Sequence, residues 1–145
     1  MAVRTTGHRP GPTALRLLAA SRSALREAAR MTHPGERYAT AHLAALRAAA
    51  AILAARARPA DARRSRPTSA WVLLTGVAPE LSEWAAFFAA GADKRAAALA
   101  GLRSAVTVRE ADDLLRDATT FYALAETTLG VLPHSLDHQP LDRAG

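Results

Sequence analysis

Guanidinium groups are the side chains of this sequence best placed, by number and spacing, to do chemistry. Arg22, Arg26 and Arg30 recur at every fourth position, which on a helix stacks them one turn apart. Arg58, Arg63, Arg64 and Arg66 follow in a short stretch interrupted by Pro59. Cations arrayed on one surface neutralise successive phosphates, and a planar guanidinium does so bidentately where an ammonium does not. These seven arginines are therefore the candidate polyanion contacts. Eighteen arginines accompany one lysine, Lys94, but 37 alanines are present too. A GC-rich genome raises both residue types, and a merely solvated basic face is the competing explanation. The charge is unevenly spread: residues 1–66 carry a net +10 and residues 67–145 a net −4, giving +6 overall. Such a dipolar chain can hold a polyanion at one end or pair head to tail with a copy of itself.

Other chemistries find less support. With no cysteine there is no disulfide framework, thiolate metal site or cysteine nucleophile. His134 and His138 have the four-residue spacing of helical zinc ligands, but Pro133 and Pro140 bracket them and no third ligand stands out. No Gly-rich phosphate loop follows a strand, and no nucleophile elbow is present. Neither a metal nor a cofactor is expected. The length of 145 residues and the 50% hydrophobic, 22% charged composition suit one globular domain. No uninterrupted apolar run reaches about 18 residues, and the N-terminus lacks an apolar signal core. A cytoplasmic protein without membrane contact is the resulting expectation.

Helices must position these groups, because alanine and arginine lead the helix propensity scale and β-branched residues are sparse. Residues 1–12 read as a disordered basic tail. Thr13 is the expected cap of a first helix, Ala14 to Met31, whose inner side is Ala14, Leu18, Ser21, Leu25, Ala28 and Ala29. Arg16, Arg26 and Arg30 lie opposite, with Arg22 at the edge. A second helix is expected from Pro34 or Gly35 to Ala57, with Ala39, His42, Leu43, Leu46, Ala50 and Leu53 inward. Residues 58–68 read as a mobile basic loop. Ser69 should cap a third helix, and Pro79 should restart the chain with Glu80 and Glu83 in the first turn. Leu81, Trp84, Phe87 and Phe88 form its apolar arc, and Gly91 ends it. Their aromatic rings, with Trp71, are assigned to the core in preference to a base-stacking platform. A short segment covers Asp93 to Leu102. Thr107 and Glu110 form a capping box opening a helix that ends at Leu129, with Gly130 in the left-handed region. Residues 131–145 read as a disordered tail, leaving 13–130 as the domain. The fold class is all-α, an up-and-down antiparallel bundle of four to five helices.

Several stretches carry a family resemblance: Arg37-Tyr38 with Ala41 to Ala50, Ser69-Ala70-Trp71 with Leu73-Leu74, Glu83 to Gly91, and Arg109 to Leu115. Over about residues 14–130 the chain resembles a stand-alone HEPN-domain family known mostly from actinobacteria. The resemblance implies a helical bundle, frequently dimeric, in a superfamily associated with RNA and nucleotide binding. Many members of that superfamily are metal-independent ribonucleases carrying Arg-x4-6-His. Arg37 and His42 fit that spacing and would be the catalytic pair; Arg26 and His33 fit it as well. A neutral-range acid or base and a cation for the phosphorane charge are what such cleavage needs. Five residues on a regular helix place Arg37 and His42 about 140° apart, so an irregular helix start or a second subunit would have to unite them. The final helix contains no histidine, unlike the usual motif position. The competing assignments are a buried neutral His42, hydrogen-bonded near Tyr38, and a solvated or Glu-paired Arg37. Three functions follow. The first is an RNA- or nucleotide-binding module acting as a homodimer. The others are a metal-independent ribonuclease and a helical adaptor for a protein partner.

Overall fold

In the computed structural model the described residues are 9–56 and 69–133, with the side chain of Arg103 excepted. The expected tails at 1–8 and 134–145, and the expected loop at 58–68, lie outside them. So do Arg58, Arg63, Arg64, Arg66, His134 and His138. The described chain is all-α and contains no strand: α1 (Pro12–Arg30), α2 (Pro34–Arg56), α3 (Ala70–Val77), a 3-10 turn (Pro79–Leu81), α4 (Ser82–Ala90), α5 (Ala92–Leu99), a second 3-10 turn (Arg103–Ala105) and α6 (Val108–Thr128).

Local stereochemistry sets these boundaries. Pro12 starts α1 two residues before Ala14, because its missing N–H costs nothing at a first helical position; Gly11, not Thr13, is the N-cap. Pro34 in turn opens α2. Ser69 caps α3 by accepting a hydrogen bond from the Trp71 N–H. Pro79 restarts the chain as a 3-10 turn leading into α4. Thr107 and Glu110 exchange both hydrogen bonds of the capping box. Gly101 (φ +82°) and Gly130 (φ +69°) adopt the left-handed conformation and close α5 and α6 with paired Schellman bonds, Leu102 N–H to the Ala97 carbonyl and Val131 N–H to the Glu126 carbonyl.

Helix α2 is the axis of the bundle, packed against α1, α3, α5 and α6. Its buried surface differs from the expected arc. Ala41, Ala44, Ala45, Ala48, Ala49, Ala51 and Ile52 are fully buried, whereas Leu43, Leu46, Ala50 and Leu53 are only partly so. A helix enclosed by several neighbours has no single inward face. Methyl side chains let those neighbours approach closely, and the leucines sit at the margins. The same alanine content gives α2 a mean hydropathy of 1.3 over 18 residues, enough by length and composition to cross a membrane. More than half of that window is buried inside the protein.

The pairing of α1 with α2 is antiparallel. Arg37 reaches the Ala28 carbonyl near the connecting loop, and Ser21 Oγ donates to the Ala44 carbonyl at 2.6 Å farther along. On α1 the inner face is Ala14, Leu18, Ser21, Ala24, Leu25 and Ala28; Ala24 takes the place expected for Ala29, which is exposed. On α6 the expected Ala111, Leu114, Ala118, Phe121, Tyr122, Ala125 and Leu129 are all buried. Trp71 stacks on Phe88 (5.2 Å between centroids), and Phe121 packs against both. Phe87 departs from the expected arc: it is 45% exposed, while Ala85 occupies the buried position.

Candidate nucleic-acid interface

The outer face of α1 presents Arg16, Arg26 and Arg30 to solvent. Among the described residues none of the three meets a carboxylate, and Arg16 touches only Thr13 Oγ1, at 3.4 Å. Glu27 is the one acidic side chain of this helix. Arg22, at the margin of the face, is half-buried. Its Nη1 donates to the Tyr122 hydroxyl at 2.9 Å, and that hydroxyl donates to Glu126 Oε2 at 2.7 Å. Burial and the Glu126 hydrogen bond push the Tyr122 hydroxyl up to about 12, against the opposing pull of Arg22, so it stays protonated.

Arg37 and His42 address different neighbours. Arg37 closes the end of α1: Nε donates to the Ala28 carbonyl at 3.1 Å and Nη2 to the Met31 carbonyl at 2.6 Å, while Nη1 pairs with Asp112 of α6. A cation there adds a second bond to the Ala28 carbonyl, which already accepts from the Met31 N–H, binds the Met31 carbonyl past the helix end, and faces the negative end of the α1 dipole. His42 is 2% exposed, with its ring edge-on to Trp71 and Phe88. Its Nε2 lies 2.9 Å from the Phe88 carbonyl and must carry the hydrogen to donate there. Nδ1 has no hydrogen-bond partner among the described residues. Burial drives the His42 pKa below the ordinary imidazole value, with the Phe88 bond pulling the other way and Arg95 adding a smaller depression. His33, the other spaced histidine, is exposed in the break between α1 and α2.

Tyr38 and His42 together brace the corner between α4 and α5. A Cβ on Gly91 would lie 2.8 Å from the Tyr38 hydroxyl oxygen. The φ of Gly91 is −87°, so glycine is required here for close approach and not for a left-handed turn. Beside this corner Lys94 pairs with Glu110 at 2.7 Å. The hydrogen bond between them raises the Lys94 pKa and lowers that of Glu110.

Sequence reasoning missed Glu126 as a buried group and Tyr122 as a partner of Arg22. The spacing of Tyr122 and Glu126, one helical turn apart, was visible; the pairing with Arg22, 100 residues away, had no local signal. A HEPN-like family model matches residues 28–126. The chain belongs to the HEPN family. No curated protein and no solved structure matches it. The matched region of this HEPN domain begins at Ala28, so Arg16, Arg22 and Arg26 precede it, and their role rests on charge and geometry alone.

Proposed function

We propose that this HEPN domain binds RNA or a nucleotide through the arginine face of α1, as a homodimer and without cleaving its ligand. One observation carries the reading: Arg16, Arg26 and Arg30 stand exposed on one side of one helix with no carboxylate partner among the described residues. Arg37, Arg56 and Arg116 are each paired with an acid, whereas Arg47, Arg95 and Arg109, like the α1 arginines, have no carboxylate partner among the described residues; clustering on one helix face is what sets the α1 arginines apart. A face that only had to be soluble would intersperse both signs. Four arginines against the lone Glu27 concentrate positive potential on α1, which a phosphate backbone relieves with release of its counterions.

The engagement of Arg37 with helix-end carbonyls and of His42 with the Phe88 carbonyl supports binding over cleavage. Strand cleavage needs a titrating group within reach of the proton it moves, and His42 is enclosed by Trp71 and Phe88. The homodimer is part of the proposal through the HEPN resemblance, and a cytoplasmic location accompanies an RNA ligand. The test uses a fluorescent oligouridylate, with affinity and strand integrity measured together at about 50 and about 200 mM salt. Intact RNA bound with an affinity that falls steeply with salt is expected. No binding at the lower salt refutes the proposal. Cleavage that disappears in a folded His42→Ala variant would establish the ribonuclease instead.

A further inference from the structure

We infer that Tyr122 and Glu126 form a latch that fixes the Arg22 guanidinium as a preformed phosphate contact at the edge of the α1 face. The inference rests on the RNA-binding reading above and deepens it by naming two positioning residues on a different helix.

The direction of the hydrogen bonds makes the argument. A tyrosine hydroxyl has one hydrogen to give, and at 2.7 Å Glu126 Oε2 receives it. The lone pairs of the hydroxyl are then free only to accept, and Arg22 Nη1 supplies that bond at 2.9 Å. The chain of donation runs from Arg22 through Tyr122 to Glu126. The Tyr122 ring is 1% exposed and Glu126 2%, so the acceptor is held by core packing and cannot drift with the surface. Arg22, half-buried, is anchored through one nitrogen, one helical turn before the exposed Arg26.

An unanchored arginine loses most of its rotamer freedom when it grips a phosphate. Arg22 has already lost part of it on folding, which is the advantage of preorganisation. Arg26 and Arg30 are exposed and have no comparable anchor among the described residues. The three arginines therefore differ in kind: one fixed fork and two adaptable cations.

The experiment measures oligouridylate affinity across a salt series for the full chain carrying Arg22→Ala, Arg22→Lys, Tyr122→Phe or Arg26→Ala/Arg30→Ala, with thermal unfolding recorded for each. Arg22→Ala should weaken binding about tenfold, the worth of one charge-assisted contact, and flatten the salt dependence by about 0.7, the loss of one phosphate contact on a single strand. Tyr122→Phe should reproduce both effects although it changes no charge. Arg22→Lys keeps the cation and so should keep the salt dependence, but should bind more weakly, since an ammonium lacks the planar two-pronged geometry of a guanidinium. Unchanged affinity and slope in Tyr122→Phe, or unchanged affinity in Arg22→Lys, overturns the latch while Arg26→Ala/Arg30→Ala still weakens binding. Wild-type binding in the Arg26→Ala/Arg30→Ala variant overturns the α1 face as the contact surface, and no oligouridylate binding by the wild type overturns the RNA-binding reading and the latch with it.

Discussion

Replacing Arg37 with alanine separates a structural from a catalytic guanidinium. The side chain makes two well-formed bonds to the end of α1, to the carbonyls of Ala28 (3.1 Å) and Met31 (2.6 Å). Its 3.4 Å approach to Ala29 is marginal. Hydrogen bonds to a charged donor contribute about 1.5–3 kcal/mol each. Water recovers part of this at a helix end that is only partly covered, so the lower figure applies and the two bonds give about 3 kcal/mol. The Asp112 partner is 47% exposed and adds less than about 1 kcal/mol. At about 2–4 °C per kcal/mol for a chain of this size, Arg37→Ala should lower Tm by about 6–12 °C. Asp112→Ala should lower it by no more than about 4 °C on the same scale. Urea denaturation with unchanged m-value is the matching equilibrium assay. A loss of stability below about 0.5 kcal/mol in Arg37→Ala, the range of ordinary surface substitutions, refutes the helix-end role.

Further expectations follow from the same contacts. His42 has a folded-state pKa below its unfolded value of about 6.5, so the folded state binds fewer protons. Its contribution to stability is therefore complete above pH 6.5 or so and is lost as pH falls through the folded value. A titration of unfolding free energy should show that slope, and His42→Gln, whose amide can still donate to Phe88, should flatten it; an unaltered slope contradicts the buried neutral imidazole. Gly91→Ala should cost about 1 kcal/mol or more through contact with the Tyr38 hydroxyl oxygen, and Tyr38→Phe in the same chain should restore most of it. Additive losses in that double variant would show that the hydroxyl is not the obstacle. Thr107→Ala removes one half of the capping box and should cost about 1 kcal/mol, read from chemical denaturation; no measurable change would mean that α6 is nucleated elsewhere.

Helix ends were legible in the sequence wherever one residue type has a single backbone use. Ser69, Pro79, Thr107 with Glu110, and Gly130 each sit where their stereochemistry required. Amphipathic faces were legible on α1 and α6, which pack on one side, and not on α2, which is enclosed on several. The α2 pattern contrasts alanine with leucine only weakly, so periodicity selected the larger residues and the structure buried the smaller ones. Phe87 was misplaced for a related reason: a nine-residue helix of mostly apolar residues carries little contrast between its faces. At the candidate interface, the fourth-residue spacing of Arg22, Arg26 and Arg30 already defined a stripe, and local sequence showed Arg22 at its edge. What fills that edge is tertiary. Tyr122 and Glu126 meet Arg22 only because α6 packs beside α1, and Gly91 clears space for a tyrosine more than 50 positions earlier.

The salt dependence of oligouridylate binding, compared between the wild type and an Arg16→Ala/Arg26→Ala/Arg30→Ala variant, tests the central claim most directly. If the exposed arginines of α1 are the phosphate contacts, the variant stays folded, binds more weakly, and its plot of log affinity against log salt is shallower by about 2, the equivalent of three contacts at about 0.7 each. Equal slopes and equal affinities in the two proteins would contradict the account.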